Sequence, residues 1–231
     1  SGWEWANFAR LQSLGRIIYA SGLGALFFVS SDFLVPWLVA AVLWWVTALW
    51  LIAHYPSQSA RWQRPDVIGL IGVVTLIPCG ASLVWLKTQS DAATVLLLLL
   101  VLIWAADIGA YFVGRRFGQR KLLPNVSPGK SVEGLVGGLV IAVIAGFATL
   151  ELMPKVDGRA LGYAGWLWLF LGIGLISVLG DLTLSMFKRS RGIKDSSQLL
   201  PGHGGFLDRL DSVFSAAPIY CGLLYLTASF K

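Results

Sequence analysis

Polar residues along this chain come in clumps, and the apolar intervals between them have the length that a lipid bilayer demands. A hydrocarbon core about 30 Å thick takes roughly 20 apolar residues of helix. Seven such stretches follow one another, at about 14–30, 34–53, 67–86, 92–114, 134–153, 161–187 and 213–229. The first is the thinnest, because Arg16 and glycines interrupt it. One such stretch alone could be a buried helix of a water-soluble domain, but seven in succession exclude that. The expected fold class is all-α, a polytopic integral membrane helical bundle with about seven transmembrane helices.

Composition agrees. Of 231 residues, 56% are apolar and 13% charged, and the mean hydropathy is +0.72. A soluble domain carries about 25% charged residues, so too little polar surface exists here to wrap a water-facing core. Disordered, collagen-like and disulfide-scaffold classes are excluded, and no nucleic-acid partner is expected. Cys79 and Cys221 lie inside apolar stretches and read as small hydrophobes.

The net charge of +6 has a source other than a polyanion partner. With the N-terminus on the cytoplasmic side, fourteen of the 18 Lys and Arg residues fall in cytoplasmic segments. They are Arg10, Arg16, Arg61, Arg64, Arg115, Arg116, Arg120, Lys121, Lys130, Lys188, Arg189, Arg191, Lys194 and Arg209, while Lys87, Lys155, Arg159 and Lys231 fall outside. This is the positive-inside asymmetry, and a miscounted span would scramble it.

Two cytoplasmic loops, 115–133 and 188–212, are long, charged and rich in Gly and Pro, whereas the outer loops are plain. Residues 1–91 accordingly read as an N-terminal transmembrane scaffold, and 92–231 as a catalytic transmembrane region. Gly134, Gly137 and Gly138 mark close helix packing.

Ionisable groups inside a span are costly and point to function. Asp107 precedes Arg115 by eight residues, about 12 Å of helix, and Asp181 precedes Lys188 by seven, about 10 Å. Both carboxylates are therefore expected just beneath the cytoplasmic surface, at similar depth. Glu151 sits near the outer end of its span and reads as structural.

The densest segment is 185–212. It holds Lys188, Arg189, Arg191 and Lys194, then Asp195, then Pro201-Gly202-His203-Gly204-Gly205, then Asp208, Arg209 and Asp211. Cations beside carboxylates with glycines between them suit a phosphate–metal site. Carboxylates hold Mg²⁺ together with water and substrate phosphate, Lys and Arg neutralise phosphate charge, and glycines let backbone N–H groups approach it. Asp208 and Asp211 share a helical face, and Asp181, Ser185 and Lys188 form a second stripe leading up to the site. Pro128-Gly129-Lys130-Ser131 falls short of a Walker A loop, since position 124 is Pro where the first glycine is required. His54 and His203 are the only histidines, so a histidine-rich metal site is excluded.

Residues 185–212 resemble the signature of the phosphatidate cytidylyltransferases, or CDP-diacylglycerol synthases. That pattern is Ser-x-x-Lys-Arg, four residues, Lys-Asp, then Pro-Gly-His-Gly-Gly, then Asp-Arg-x-Asp, and every element is present. The resemblance extends to Ser177-Val178-Leu179-Gly180-Asp181, to Trp104-Ala105-Ala106-Asp107 with Ala110-Tyr111, and to Ser127-Pro128-Gly129-Lys130-Ser131 with Glu133-Gly134. Ser131 stands where threonine is common, which keeps the hydroxyl. Family members carry further hydrophobic sequence upstream, so an N-terminal part is expected ahead of Ser1.

The resemblance implies transfer of CMP from CTP to phosphatidate at the cytoplasmic surface of a bacterial inner membrane, giving CDP-diacylglycerol and pyrophosphate. It implies Mg²⁺, a monovalent cation such as K⁺, and a homodimer. Asp181 and Asp208 become the principal metal ligands, with Asp211 beside them. Lys188, Arg189, Lys194, Asp195 and Arg209 form the catalytic set, its cations holding the triphosphate. Asp107, Ser127, Lys130, Ser185, His203, Gly204 and Gly205 contact substrate. A cleft between the fourth, sixth and seventh spans is expected to admit lipid sideways and nucleotide from the cytoplasm. The competing reading is an ion or phospholipid transporter that couples through Asp107 and Asp181.

Overall fold

The computed structural model describes residues 1–153, 161–202 and 204–229. A short helix α1 (Gly2–Phe8) leads into α2 (Ser13–Ser30) and α3 (Leu34–Ala53). A single turn α4 (Ser59–Trp62) precedes α5 (Pro65–Lys87) and α6 (Ala92–Phe117). A hairpin of β1 (Lys121–Leu123) and β2 (Ser127–Ser131) follows, then α7 (Val132–Leu152), α8 (Gly162–Ser190) and α9 (Leu207–Ser229). Seven of these helices are long and apolar enough to cross a membrane, among the described residues. The protein is an integral membrane protein built as an α-helical bundle.

Helix ends follow local chemistry. Pro65 opens α5, where its missing N–H and fixed φ cost nothing, and Asp66 stands in the same first turn. Arg115 and Arg116 close α6, and Lys188 and Arg189 close α8, placing cations at the negative ends of the helix dipoles. The Ser131 hydroxyl caps α7 by accepting from Gly134 N at 3.1 Å. Glu133, in the same turn, accepts from Gln119 N at 3.0 Å and so fastens the end of α6 to the start of α7.

Small residues set the α6–α7 spacing. A Cβ added at Gly134 would come 2.8 Å from Ala110 O, and one at Gly109 would come 3.0 Å from Gly138 Cα. The two backbones therefore approach as bulky side chains would forbid. Helices α8 and α9 cross at Gly180, where any side chain would overlap the Asp211 carbonyl. Ser215 Oγ donates across the same crossing to Ile176 O at 2.6 Å.

Helix α8 is the most enclosed of the spans, with buried residues from Trp166 to Phe187 that go round the helix in its second half. Helix α2 is the opposite, with only Leu23 buried and Leu14, Ile17, Phe28 and Val29 facing outward. One buried apolar cluster runs from Trp5 to Cys221 and draws on both parts of the chain. Trp5 and Trp62 meet the Phe187 ring edge-on, and Phe8 stacks on it. Glu4, Trp5, Ala6 and Phe8 of α1 are thus buried in the core, while Trp3 is exposed.

Two local expectations need correction. Residues 115–133 are not one loop, because α6 continues to Phe117 and the hairpin takes most of the rest. The strands pair antiparallel with Lys121 opposite Ser131. Residues 188–212 are shortened from both ends, leaving 191–206 as the connection. Helices continue past the apolar stretch wherever the emerging polar residues still find helical partners.

Candidate active site

The C-terminal ends of α6 and α8, the N-terminal ends of α7 and α9, the hairpin and α1 gather at one end of the bundle. There a cavity of about 500 Å³ opens between α6, α7, α8 and the hairpin. Asp107, Tyr111 and Arg115 line it from α6, Ser127 and Lys130 from β2, and Asp181 from α8. The expected cleft between the fourth, sixth and seventh spans is therefore bounded by the fifth span instead of the seventh. The reason is packing: α9 presses on α8 at Gly180 and leaves no gap there.

The polar stripe on α8 emerges as expected. Asp181, Ser185 and Lys188 are half-buried, while Leu182, Thr183, Leu184, Met186 and Phe187 between them are buried. Ser185 Oγ donates to Asp181 Oδ1 at 3.1 Å. Lys130 forms an ion pair with Asp181 Oδ2, each side chain 26% exposed. Asp107 and Asp211 are electrostatic neighbours of Asp181. Two carboxylates, Asp107 and Asp181, thus share Lys130, and Asp211 adds a third negative charge beside Asp181.

Farther up α8, Lys188 Nζ donates to Asp208 Oδ1 at 2.7 Å. The other oxygen of Asp208 accepts from Ser196 N at 2.8 Å, Ser196 Oγ at 3.0 Å and Gly205 N at 2.9 Å. This carboxylate is fixed in orientation before any ligand arrives. It gathers both flanks of a tight turn in which Leu200 N donates to Gly204 O at 2.9 Å. Gly202 and Gly204 have φ of 73° and 78°, a region that L side chains rarely adopt. A Cβ at Gly204 would also come 3.1 Å from Asp208 Oδ2.

The structure thereby joins Asp107, Ser127, Lys130, Asp181 and Ser185 in one cluster and Lys188, Asp208, Gly204 and Gly205 in another. Asp211 lies between them, an electrostatic neighbour of both Asp181 and Lys188. Other expected members stand apart. Arg189 Nε donates to Val126 O at 3.4 Å and ties α8 to the hairpin. Lys194 and Arg209 are exposed on the rim, and Asp195, also exposed, lies against Gly204, where an added Cβ would come 3.4 Å from its Cβ. His203 lies outside the described residues.

Metal chemistry is consistent with these residues. Among the described residues no three acidic, His or Cys groups enclose an ion by themselves. Mg²⁺ does not need such a cage, since one or two carboxylates with water and substrate phosphate suffice. The donors are all oxygens, suited to a hard cation, and the carboxylates around Lys130 leave an excess of negative charge.

Several supporting residues escaped the sequence reading. Glu4 of α1 is 1% exposed and accepts from Ser197 Oγ, from Phe206 N at 2.8 Å and from Leu207 N at 2.9 Å. Asn7 Nδ2 donates to Ser196 O at 3.0 Å, and Arg191 Nε donates to Asn7 O at 3.0 Å. Burial, with Arg10 and Arg16 nearby, holds the Arg191 guanidinium below its ordinary pKa. Arg115, at the cavity wall, donates to Tyr111 Oη at 3.1 Å. Nothing in local spacing signals these contacts, because they join residues nearly 200 positions apart or lie inside an ordinary helix.

A sequence model described as the Cytidylyltransferase family matches residues 2–227. The chain is 41% identical to a phosphatidate cytidylyltransferase of Haemophilus influenzae, over 94% of this chain and 83% of that protein. It is 43% identical to a phosphatidate cytidylyltransferase of Pseudomonas aeruginosa, over 96% of this chain and 83% of that protein.

Proposed function

We propose that this chain, which belongs to the cytidylyltransferase family and is a nucleotidyltransferase, transfers CMP from CTP to phosphatidate. The products are CDP-diacylglycerol and pyrophosphate, and the reaction takes place at the cytoplasmic surface of a bacterial inner membrane. The observation that carries this reading is the cavity beside the helix ends, where Asp107 and Asp181 meet Lys130 and Arg115. A lipid phosphate lies at that depth, and a nucleotide reaches it from water.

A phosphatidate oxygen attacks the α-phosphorus of CTP, and the bond from that phosphorus to the β-phosphate bridging oxygen breaks. The attacking phosphate is already an anion, so no general base is needed. The work left to the protein is alignment and neutralisation of charge. Lys188 and Lys130 stand on either side of the carboxylates and are placed to steady the triphosphate, with Arg189, Lys194 and Arg209 guarding its approach. Mg²⁺ held by Asp181, Asp208 and Asp211 would supply further charge neutralisation at the attacking and leaving oxygens. The three hydrogen bonds that Asp208 Oδ2 accepts from Ser196 and Gly205 hold the two flanks of the turn together and leave Oδ1 with Lys188 as its one partner. Two such chains are proposed to work as a homodimer.

The deciding experiment uses purified protein in detergent with phosphatidate, labelled CTP and Mg²⁺. Pyrophosphate release that requires all three is expected. Protein that moves ions in sealed vesicles but never releases pyrophosphate in detergent would overturn the proposal, because a transferase needs no gradient.

A further inference from the structure

We infer that Glu4 is a positioning residue for the nucleotidyl transfer: its carboxylate holds the far side of the turn that Asp208 holds from the near side. The inference rests on the cytidylyltransferase reading above.

Glu4 is buried, and no Lys or Arg pairs with it among the described residues. A buried carboxylate without a cation is costly unless hydrogen bonds satisfy it. Here all three donors come from the segment that carries the Pro-Gly-His-Gly-Gly run and its flanks, namely the Ser197 hydroxyl and the Phe206 and Leu207 amides. The Leu207 amide begins α9, so the negative charge also meets the positive end of that helix dipole.

The two carboxylates divide the turn between them. Asp208 binds Ser196 and Gly205, and Glu4 binds the next residue on each strand, Ser197 and Phe206. Gly205 fits between the two sets, since a Cβ there would overlap both Ser196 Oγ and Glu4 Oε1. The connection is thus clamped at consecutive positions from opposite sides, and Asp208 at its end is aimed by the same clamp.

Helix α1 is only 7 residues long, too short to persist alone. Trp5 and Phe8 seat it against Phe187, one residue before Lys188. The helix therefore presents Glu4 from a rigid base. Displacing the turn would shift Asp208 and the glycine amides relative to Asp181, and a misplacement near 1 Å can cost about 100-fold in rate.

The test compares wild-type chain with Glu4→Gln and Glu4→Asp in detergent, following pyrophosphate release and backbone amide exchange. Glutamine keeps the size but turns an NH₂ toward one of the three donors, and aspartate keeps the charge but falls short. Each variant is expected to lose roughly 10- to 100-fold in kcat. Phosphatidate KM should stay within about twofold, because that substrate enters past α6 and the hairpin. Exchange should rise at Phe206 and Leu207 and not across the chain.

Wild-type kcat in either folded variant with unchanged exchange at these amides would overturn the inference. So would loss of activity that only follows loss of folded protein, with exchange raised throughout. If wild-type protein itself never releases phosphatidate-dependent pyrophosphate, the functional reading fails and the role of Glu4 in catalysis falls with it. Failure of the Glu4 inference alone leaves wild-type activity intact, so the two failures are distinct.

Discussion

Lys188 Nζ and Asp208 Oδ1 meet at 2.7 Å across the junction of α8 and α9, with the two side chains only 13% and 9% exposed. Lys130 and Asp181 form the second ion pair of the site, but each of those side chains is 26% exposed. The difference in burial separates two aspartates that the motif treats alike. Breaking a buried pair leaves an uncompensated charge at a cost of about 3–5 kcal/mol. An exposed pair is worth about 0–1 kcal/mol, and the Lys130 pair lies between these limits.

Asp208→Asn is therefore expected to abolish turnover and also to destabilise the protein by about 3 kcal/mol, because Lys188 is stranded and the Ser196–Gly205 hub is broken. Asp181→Asn should abolish turnover with a much smaller loss of stability. Denaturation midpoints in detergent alongside pyrophosphate release would check both. Equal loss of stability in the two variants would show that burial does not distinguish them.

Glycines test the backbone approaches. Gly205→Ala would drive a methyl group into Ser196 Oγ and Glu4 Oε1, and it is expected to remove activity while the spans stay inserted. Gly137→Ala meets Val113 Cβ at 2.5 Å and both its methyls instead, a clash that no rotamer of a β-branched residue clears, so α6 and α7 must shift apart and the loss should appear first as stability, about 3 kcal/mol from overpacking. Thermal unfolding and turnover measured on both variants separate site from scaffold.

Hydropathy made the bundle legible. The stretch expected at 34–53 is the helix Leu34–Ala53, since its ends coincide with the ends of its apolar run. The stretch expected at 213–229 starts six residues late, because α9 begins at Leu207 with Asp208, Arg209 and Asp211 in its first turns. A hydropathy window reports which residues suit lipid, whereas a helix continues wherever its hydrogen bonds are met. The hairpin stayed hidden because Pro124, Pro128 and Gly129 spell a loop and its strands are too short to alternate. Asp181, Ser185 and Lys188 were legible as a stripe, being local on one helix. Glu4 was not, since its partners stand about 200 residues away and only the folded chain brings them together.

Sidedness has a clean readout because Cys79 and Cys221 are both buried. An impermeant thiol reagent should ignore the native chain and report only an introduced cysteine. Lys194→Cys and Lys121→Cys, on exposed positions at the cavity end, should label from the cytoplasmic side. Ser90→Cys, exposed between α5 and α6, should label from the opposite side. Labelling of Lys194→Cys from outside would invert the proposed orientation.

Lys130 offers the sharpest separation of chemistry from packing. It reaches Asp181 from the hairpin, a different element from the α8 stripe, and it is an electrostatic neighbour of Asp107 as well. Lys130→Ala should lower kcat by about 10²-fold if its charge acts mainly on the transition state. Breaking this partly buried pair should cost about 1–3 kcal/mol of stability, between the exposed and buried limits. Lys130→Arg retains the charge but spreads it over a planar fork that does not fit a compact contact, so it should recover only part of the rate. Full activity in Lys130→Ala would mean that this lysine merely neutralises Asp181 and that Lys188 alone steadies the phosphates.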